Sequence, residues 1–323
     1  MTRLLTLLIV IAGSVFNSMT VVANTTTLEK EQADARAFFD QGRYLKASPH
    51  AEAAVDLSRQ EYGPNSAELA KNLNLLAKIR INQVFYEEAH QLIMQALKIA
   101  DLVTNFNPII RAESFTLLAE LAIEQKDFSA AETALGMAEQ IFLRIPEPEA
   151  KIYAWFVIQK ADLYFKRELF DQALKIINNE KKAIASKLGK SSLEYLDILF
   201  RIGYYELKKG NTAKAENIFA AIQNVSKQTG RETHPHTALF LMGSAIAAYN
   251  RGDLEKTIII STQADNIFKE VLRPEHPARG VPQIWIGMAL LGLEDFLGAE
   301  SAFKNSLYAS SPSPSSSPII ICN

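Results

Sequence analysis

Residues 44–47 have the sequence YLKA, and a segment of the same form returns every 42 residues. The later copies are YEEA at 86–89, FSAA at 128–131, FDQA at 170–173, TAKA at 212–215, LEKT at 254–257 and FLGA at 296–299. We call the first residue of each segment the anchor of its unit. The anchors are Tyr44, Tyr86, Phe128, Phe170, Thr212, Leu254 and Phe296. A fixed period of this length is typical of one supersecondary unit, stacked so that neighbours bury each other's apolar faces.

Two positions around each anchor hold small residues. Nine residues before the anchors stand Ala35, Ala77, Ala119, Ala161, Gly203, Ala245 and Gly287. Three residues after the anchors stand Ala47, Ala89, Ala131, Ala173, Ala215, Thr257 and Ala299. Small side chains at two fixed points allow two helix backbones to approach closely, and the larger anchor fills the space between successive pairs.

Each unit has the pattern of two helices joined by a short turn. In the second unit, apolar residues recur at a 3.6-residue period over 69–82 and again over 86–103. Gly42, Gly210 and Gly252 lie two residues before three of the anchors, where a helix end needs positive φ. Proline and glycine separate successive units, and no segment alternates in the manner of a strand. The sequence therefore predicts an all-α fold, a right-handed α-solenoid of about seven helix-turn-helix units over residues 29–308.

The unit resembles a tetratricopeptide repeat of the longer, kinesin-light-chain-like type. The closest match is Pro64-Asn65-Ser66 with Leu73-Asn74-Leu75-Leu76-Ala77 and Tyr86-Glu87-Glu88-Ala89. His234-Pro235 and His276-Pro277, also 42 residues apart, match the His-Pro pair that often opens a unit in that family. The resemblance covers residues 29–308 and implies a scaffold that binds proteins or peptides. Thr212, Leu254 and Glu180 depart from the family pattern, which puts the local packing there in doubt.

In such a superhelix, the resemblance implies that the first helix of each unit lines the concave face. Residues twelve, eight and five before each anchor should then point into it. These positions are polar or mixed in the early units and apolar in the later ones. We predict a ligand-binding groove formed by Ile158, Phe200, Tyr204, Met242, Ile246, Tyr249 and Met288. The alternative is that tight curvature buries the same side chains against the next unit.

The first 23 residues have the form of a cleaved signal peptide. Arg3 precedes an apolar stretch of about 13 residues, and Val21-Val22-Ala23 supplies a cleavage site. A membrane anchor is the alternative, but a spanning helix needs roughly 20 apolar residues. We therefore expect an exported protein, periplasmic or secreted, without stable membrane insertion after cleavage. Residues 24–28 would form a short linker before the array.

Residues 309–323 are rich in Ser and Pro, a composition typical of disorder. The sequence shows no amphipathic helix that would close the last unit. A partner, self-association through this uncapped unit, or a continuation of the protein would each cover its apolar face. Cys322 is the single cysteine, so an intrachain disulfide is excluded; it is either an intermolecular link or an incidental thiol.

The sequence gives no catalytic constellation. It lacks a phosphate-binding Gly-rich loop and a His-Glu-x-x-His motif. The one histidine cluster, His234 and His236 with His276, could be a metal site, but the His-Pro resemblance gives it a structural explanation. Acidic and basic residues nearly balance, with a formal net charge of −2, which argues against nucleic acid as the main partner. We predict no catalytic residues, no metal and no cofactor.

The leading hypothesis is an exported, non-catalytic scaffold that holds a protein or peptide in its concave groove. The first alternative is the regulatory N-terminal part of a larger protein with a C-terminal catalytic domain, for example a caspase-like peptidase. The second is a purely structural scaffold within an envelope complex. The sequence leaves the identity of the ligand open.

Overall fold

A computed structural model describes residues 27–310 of the chain, and side chains up to residue 307. These residues form helices α1 to α14 and one short 3₁₀ helix, Pro277–Arg279, with no strand within the described range. The first helices of the seven units are α1 (27–40), α3 (Ala67–Asn82), α5 (Pro108–Glu124), α7 (Ala150–Lys166), α9 (Leu193–Lys208), α11 (Pro235–Asn250) and α13 (Gly280–Gly292). The second helices are α2 (Tyr44–Tyr62), α4 (Tyr86–Leu102), α6 (Phe128–Phe142), α8 (Phe170–Leu188), α10 (Thr212–Gln228), α12 (Leu254–Val271) and α14 (Phe296–Ser310).

The second helix of every unit begins at its anchor, including the units anchored by Thr212 and Leu254. The spacing therefore matters more than the aromatic side chain at this position. The predicted all-α solenoid of seven helix pairs is confirmed. Helix α1 begins at residue 27, two residues before the predicted start of the array.

One turn geometry joins the two helices in all seven units. The residue two before the anchor has φ between 61° and 87° at Gly42, Val84, Lys126, Glu168, Gly210, Gly252 and Glu294. In the first unit, Gly42 N–H donates to the Phe39 carbonyl and Arg43 N–H to the Phe38 carbonyl, both at 2.8 Å. The same pair of bonds closes the other six turns and satisfies the last carbonyls of each first helix. Four units thus adopt the turn without a glycine.

The first helices lie inside the solenoid. Helix α3 packs on α5, α5 on α7, α7 on α9, and so on to α13, whereas no extensive contact joins successive second helices among those described. Convergence of the first helices and divergence of the second makes the first helices the concave wall. The small residues at the two repeated positions permit this packing, because every alanine among them is at most 2% exposed.

The concave path closes on itself after five units. A hydrophobic cluster joins buried residues of units 1 and 2, among them Tyr44 and Leu73, to buried residues of unit 6, among them Met242 and Phe268. Trp285 of unit 7 is partly buried and packs against this cluster. The backbone of Gly42 in unit 1 lies so close to Pro235 in unit 6 that an added Cβ would be 2.2 Å from Pro235 Cδ. The molecule is therefore a tightly wound superhelix in which unit 1 meets unit 6 and unit 2 meets unit 7.

Glu180 stands ten residues after its anchor, where the first three units have Ala54, Ala96 and Ala138, and helix α8 continues through it. It is half-buried, and its carboxylate accepts a hydrogen bond from the Tyr153 hydroxyl. Burial, together with this carboxylate, raises the pKa of Tyr153 to about 12. Thr257, the exception among the small residues, is fully buried and donates to the Asp253 carbonyl at 2.9 Å.

Several predictions lie outside the described residues. These are the signal peptide over 1–23, most of the linker over 24–28, the Ser/Pro tail beyond residue 310 and the single cysteine, Cys322. The described chain contains no helix with the length and apolar character needed to cross a membrane.

Candidate inner groove

The seven predicted groove residues all lie on first helices, as the spacing requires. Ile158 and Met242 are 3% and 4% exposed and belong to core clusters, so the packing alternative holds for these two in this conformation. The remaining five keep part of their surface: Phe200, Tyr204, Ile246, Tyr249 and Met288. For these five, ligand contact stays a prediction. Tight winding explains the burial of Met242, which lies in the cluster shared with units 1 and 2. Ile158 packs in a separate cluster formed by units 3 to 5.

Two groups of aromatic rings, which we call the aromatic ridge, lie along the later part of the inner wall. The ring of Tyr204 lies 5.3 Å from that of Phe165 and 5.9 Å from that of Phe200, measured between centroids. Further along, Tyr249 meets Trp285 edge-on at 5.3 Å. The repeat spacing does not predict Trp285 as a groove residue, because it stands eleven residues before its anchor rather than twelve. Two features of the sequence indicate it: Trp285 is adjacent to Ile284, which stands twelve residues before the anchor, and its side chain is large.

A charged network occupies the middle of the same wall. Arg201 Nε lies 3.1 Å from Asp162 Oδ2, and Arg201 Nη1 lies 3.4 Å from Asp197 Oδ1. The Tyr205 hydroxyl donates to Asp162 at 2.5 Å, and His236 Nδ1 lies 3.3 Å from Asp197. Burial disfavours the charge on Asp197, but His236 and Arg201 outweigh it and hold the pKa of this carboxyl well below its usual range.

Lys78, Glu113 and Glu120 extend this network toward unit 2. The Lys78 ammonium lies 4.4 Å from the ring centroid of Trp155 and 5.3 Å from that of Phe39. Burial raises the pKa of Glu113 and raises the pKa of Glu120 to about 7, more than the nearby Lys78 lowers them. Both glutamates keep some exposed surface, so they face an enclosed groove rather than a dry core.

Two histidines hold the superhelix closed. His234 Nδ1 accepts from the His236 N–H at 3.1 Å and caps helix α11, while its Nε2 lies 3.1 Å from the Asp40 carbonyl oxygen of unit 1. One period later, His276 accepts from the Ala278 N–H at 3.2 Å, and its Nε2 lies 3.0 Å from the Asn82 carbonyl oxygen of unit 2.

These partners fix each imidazole as neutral with its proton on Nε2, because a carbonyl needs a donor and an N–H needs an acceptor. Burial lowers the pKa of His234 to about 3 and that of His276 to about 4. The three histidines of the considered metal site do not converge, since His234 and His276 serve different units. Among the described residues, no group of three or more His, Cys, Asp or Glu is placed to hold a metal ion.

Comparison with known proteins agrees with this architecture. A family model described as tetratricopeptide repeat matches residues 35–102. A TPR repeat-containing protein of Dictyostelium discoideum is 25% identical over 192 residues, which is 59% of this chain and 9% of that protein. The chain carries tetratricopeptide repeats. The segment of the Dictyostelium discoideum protein that this chain matches is only 9% of that protein's length.

Two solved structures share the fold of this tetratricopeptide array. A Rap protein complexed with Competence and Sporulation Factor superposes with a TM-score of 0.65 at 14% identity, covering 90% of this chain and 77% of that one. BtubC (BKLC) from P. vanneervenii superposes with a TM-score of 0.52 at 16% identity, covering 79% and 98%. At these identities the likeness concerns the fold alone.

Proposed function

We propose that this tetratricopeptide array binds a protein segment or peptide in its inner groove and carries no catalytic activity of its own. The observation that carries the proposal is the partly exposed aromatic ridge of Phe200, Tyr204 and Tyr249 on an enclosed concave wall. Aromatic side chains that become buried against a ligand contribute strongly to binding. A preformed concave site favours binding further, because little conformational entropy is lost. The Rap protein of similar fold was solved in complex with a factor, which is consistent with an array of this shape holding a ligand.

The test is a selection followed by a matched comparison. Heptapeptides selected from a random displayed library on the purified chain would be measured by fluorescence anisotropy against Tyr204→Ala and Tyr249→Ala. The control is Tyr62→Ala, because Tyr62 is 49% exposed at the end of α2, away from the groove. We expect each groove variant to weaken binding at least tenfold and the control to leave it within twofold. Equal binding by all three variants, or no selectable peptide, would reject the proposal.

Self-association through unit 7 is a second candidate, favoured by exposed apolar side chains on that unit. Leu293, Phe296 and Leu297 are 46%, 64% and 81% exposed. A second copy would bury this surface, and so would a following domain in the alternative of a larger protein with a catalytic C-terminal part. Sedimentation of the wild type and of Leu297→Lys separates these cases: a dimer that the substitution dissociates supports self-association, and a monomer at all concentrations rejects it.

Export to the periplasm or the medium is the remaining part of the proposal, and the form of residues 1–23 supports it. Expression of the full coding sequence in a bacterial host, followed by amino-terminal sequencing of the protein in the periplasmic fraction and the medium, tests it. A mature chain that begins at Asn24 supports export. Retention of Met1 in the cytosol overturns it.

A further inference from the structure

Glu120 stands out on the inner wall because one oxygen of its carboxylate is buried without a hydrogen-bond partner. Glu120 lies on α5, eight residues before an anchor, at the position that faces the groove. Its Oε2 atom has no accessible surface and accepts no hydrogen bond from the described residues. A carboxylate oxygen in that situation is costly unless something supplies a donor or a positive charge.

Neither of the neighbouring cations supplies that charge directly. Arg201 on α9 is already held between Asp162 and Asp197. Lys78 on α3 rests against the rings of Trp155 and Phe39, and the described residues include no ion pair of Lys78 within 4.0 Å. Its attraction acts on both Glu113 and Glu120 but leaves the burial of each uncompensated.

The balance of charge along this wall is negative. The carboxylates of Glu113, Glu120, Asp162 and Asp197 face the cations Arg36, Lys78 and Arg201, as the electrostatic couplings among them show. Glu124, on the same helix as Glu120, and Glu149 add further negative charge beside them. His236 is a further positive group beside Asp197, but the carboxylates named here still outnumber the basic groups.

We propose that the inner wall at Glu120 receives a basic side chain, Lys or Arg, of the peptide bound in the groove. This rests on the proposed function and adds its chemistry. The ligand's cation would pair with the Glu120 carboxylate from the groove side, where Glu120 keeps part of its surface, and would offset its negative charge. The apolar residues of the ligand would lie along the aromatic residues Phe165 and Tyr204. Charge-assisted hydrogen bonds in an enclosed site are stronger than neutral ones, so this contact would select basic peptides.

The experiment uses pairs of defined peptides and the full chain. Five acetylated pentapeptide amides carry one Arg at successive positions of a Leu/Phe sequence, and five matched peptides carry citrulline, which is neutral and of nearly the same shape. Their Kd values are measured by fluorescence anisotropy for the wild type, for Glu120→Gln and for Glu255→Gln. The last variant is the control, because Glu255 is an exposed carboxylate on α12.

We expect at least one Arg peptide to bind the wild type tenfold or more tightly than its citrulline counterpart. That ratio should fall below threefold in Glu120→Gln and persist in Glu255→Gln. Peptides that bind with no preference for Arg, or a preference that Glu120→Gln leaves intact, would overturn the cation site while the groove function stands. If none of the ten peptides binds, both the cation site and the groove function fail.

A second measurement needs no variant and covers the case in which Glu120→Gln does not fold. The affinity of the best Arg peptide for the wild type is followed from pH 8 to pH 6. Burial raises the pKa of Glu120 to about 7, so its carboxylate becomes protonated over this range. The charged groups that face it are Lys78, Glu124, Arg201 and Asp162. We expect the Arg peptide to weaken at least fivefold and the citrulline peptide to stay within twofold. A parallel response of the two peptides would contradict the assignment.

Discussion

At the scale of single residues, the small residue nine positions before each anchor is either alanine or glycine. Which of the two occurs depends on the side chain that it packs against in the second helix. Gly203 and Gly287 take the place of alanine where phenylalanine stands seven residues after the anchor, at Phe219 and Phe303. A Cβ on Gly203 would lie 2.7 Å from Phe219 Cε1, and one on Gly287 would lie 2.6 Å from Phe303 Cε1. In unit 3 the same pair is Ala119 with a leucine, which leaves space for the methyl group.

The effect of Gly203→Ala on the free energy of unfolding should therefore change sign when Phe219 is replaced by leucine. In the wild type we expect it to lower the free energy of unfolding by about 1–3 kcal/mol, because overpacking against Phe219 outweighs the better helix propensity of alanine. In Phe219→Leu the same change should raise it by about 0.5–1 kcal/mol, since only the propensity term remains. Urea unfolding of the four proteins of this double-mutant cycle measures the coupling. Equal effects of Gly203→Ala in both backgrounds would contradict the packing explanation.

The turns without glycine hold ordinary side chains in the left-handed region. Lys126 has φ of 61° and is exposed, so little packing is at stake there. We expect Lys126→Gly to be more stable than Lys126→Ala by about 1 kcal/mol, because only glycine adopts this conformation without steric cost. Both variants remove the same charge, which makes each the control of the other. Thermal unfolding measures the difference, and an equal or lower Tm for the glycine variant would be inconsistent with this backbone geometry.

The identity of single residues predicts less of the structure than the 42-residue period does. Glycine at Gly42, Gly210 and Gly252 indicates the turn, but Val84, Lys126, Glu168 and Glu294 give no local sign of positive φ. The other units show the conformation because the step of 42 residues forces the same path. Likewise, Lys78, Glu120 and Asp162 fall on the predicted concave positions, but their side-chain partners depend on helix-to-helix distances that one sequence does not contain.

At the scale of elements, the two His-Pro pairs explain how a helix start becomes a long-range contact. His234 caps α11 through Nδ1, and His276 caps the 3₁₀ helix that precedes α13 in the same way. Through Nε2, each histidine contacts a carbonyl five units away. The sequence resemblance predicts the helix start at these pairs. The second bond could not be predicted, because it joins residues 194 apart and depends on the pitch of the superhelix.

This arrangement makes the closure sensitive to acid. The folded-state pKa of His234, about 3, and of His276, about 4, lie below the ordinary value of 6.5. Stability from the neutral imidazoles is therefore complete above pH 6.5 and is lost as the pH falls toward the folded-state pKa values. The loss is at most about 1.4 kcal/mol per pH unit for each histidine. Around His234 lie His236, Asp197, Arg231 and the Asp40 carbonyl; around His276 lie Arg273, Arg279 and the Asn82 carbonyl.

We expect the free energy of unfolding of the wild type, relative to a His234→Gln/His276→Gln variant, to fall between pH 7 and pH 5. Urea unfolding at pH 7, 6 and 5 measures this difference, and His90→Gln, an exposed histidine on α4, serves as the control. Glu120 titrates in the opposite sense, because its raised pKa makes protonation favourable in the folded state. Comparing wild type with variant removes that contribution. A difference that stays constant with pH would show that the histidines do not carry the effect.

At the scale of the whole molecule, the closure determines what kind of groove exists. An open solenoid would present a long concave surface to solvent. Here units 1 and 2 pack on units 6 and 7, so the inner wall is enclosed and Met242 becomes part of the core. The Arg273 guanidinium over the Phe85 ring, 4.5 Å from its centroid, adds a contact between units 2 and 7 on the same seam. A ligand therefore reaches Glu120 and the aromatic ridge in one of two ways. It enters the closed superhelix, or it binds a form in which the contacts between units 1 and 2 and units 6 and 7 are broken.

Gly42 allows a direct test of this closed form. Gly42→Ala places a methyl group 2.2 Å from Pro235 Cδ, whereas Gly210→Ala meets open space at the equivalent turn of unit 5. Both glycines have positive φ, 70° and 87°, so both variants carry the same backbone cost of about 1–2 kcal/mol. Only Gly42→Ala should separate unit 1 from unit 6. Small-angle scattering should then show a larger radius of gyration for Gly42→Ala than for Gly210→Ala, with equal helix content by circular dichroism. If the two variants scatter alike, the contact between Gly42 of unit 1 and Pro235 of unit 6 is not what holds the superhelix closed.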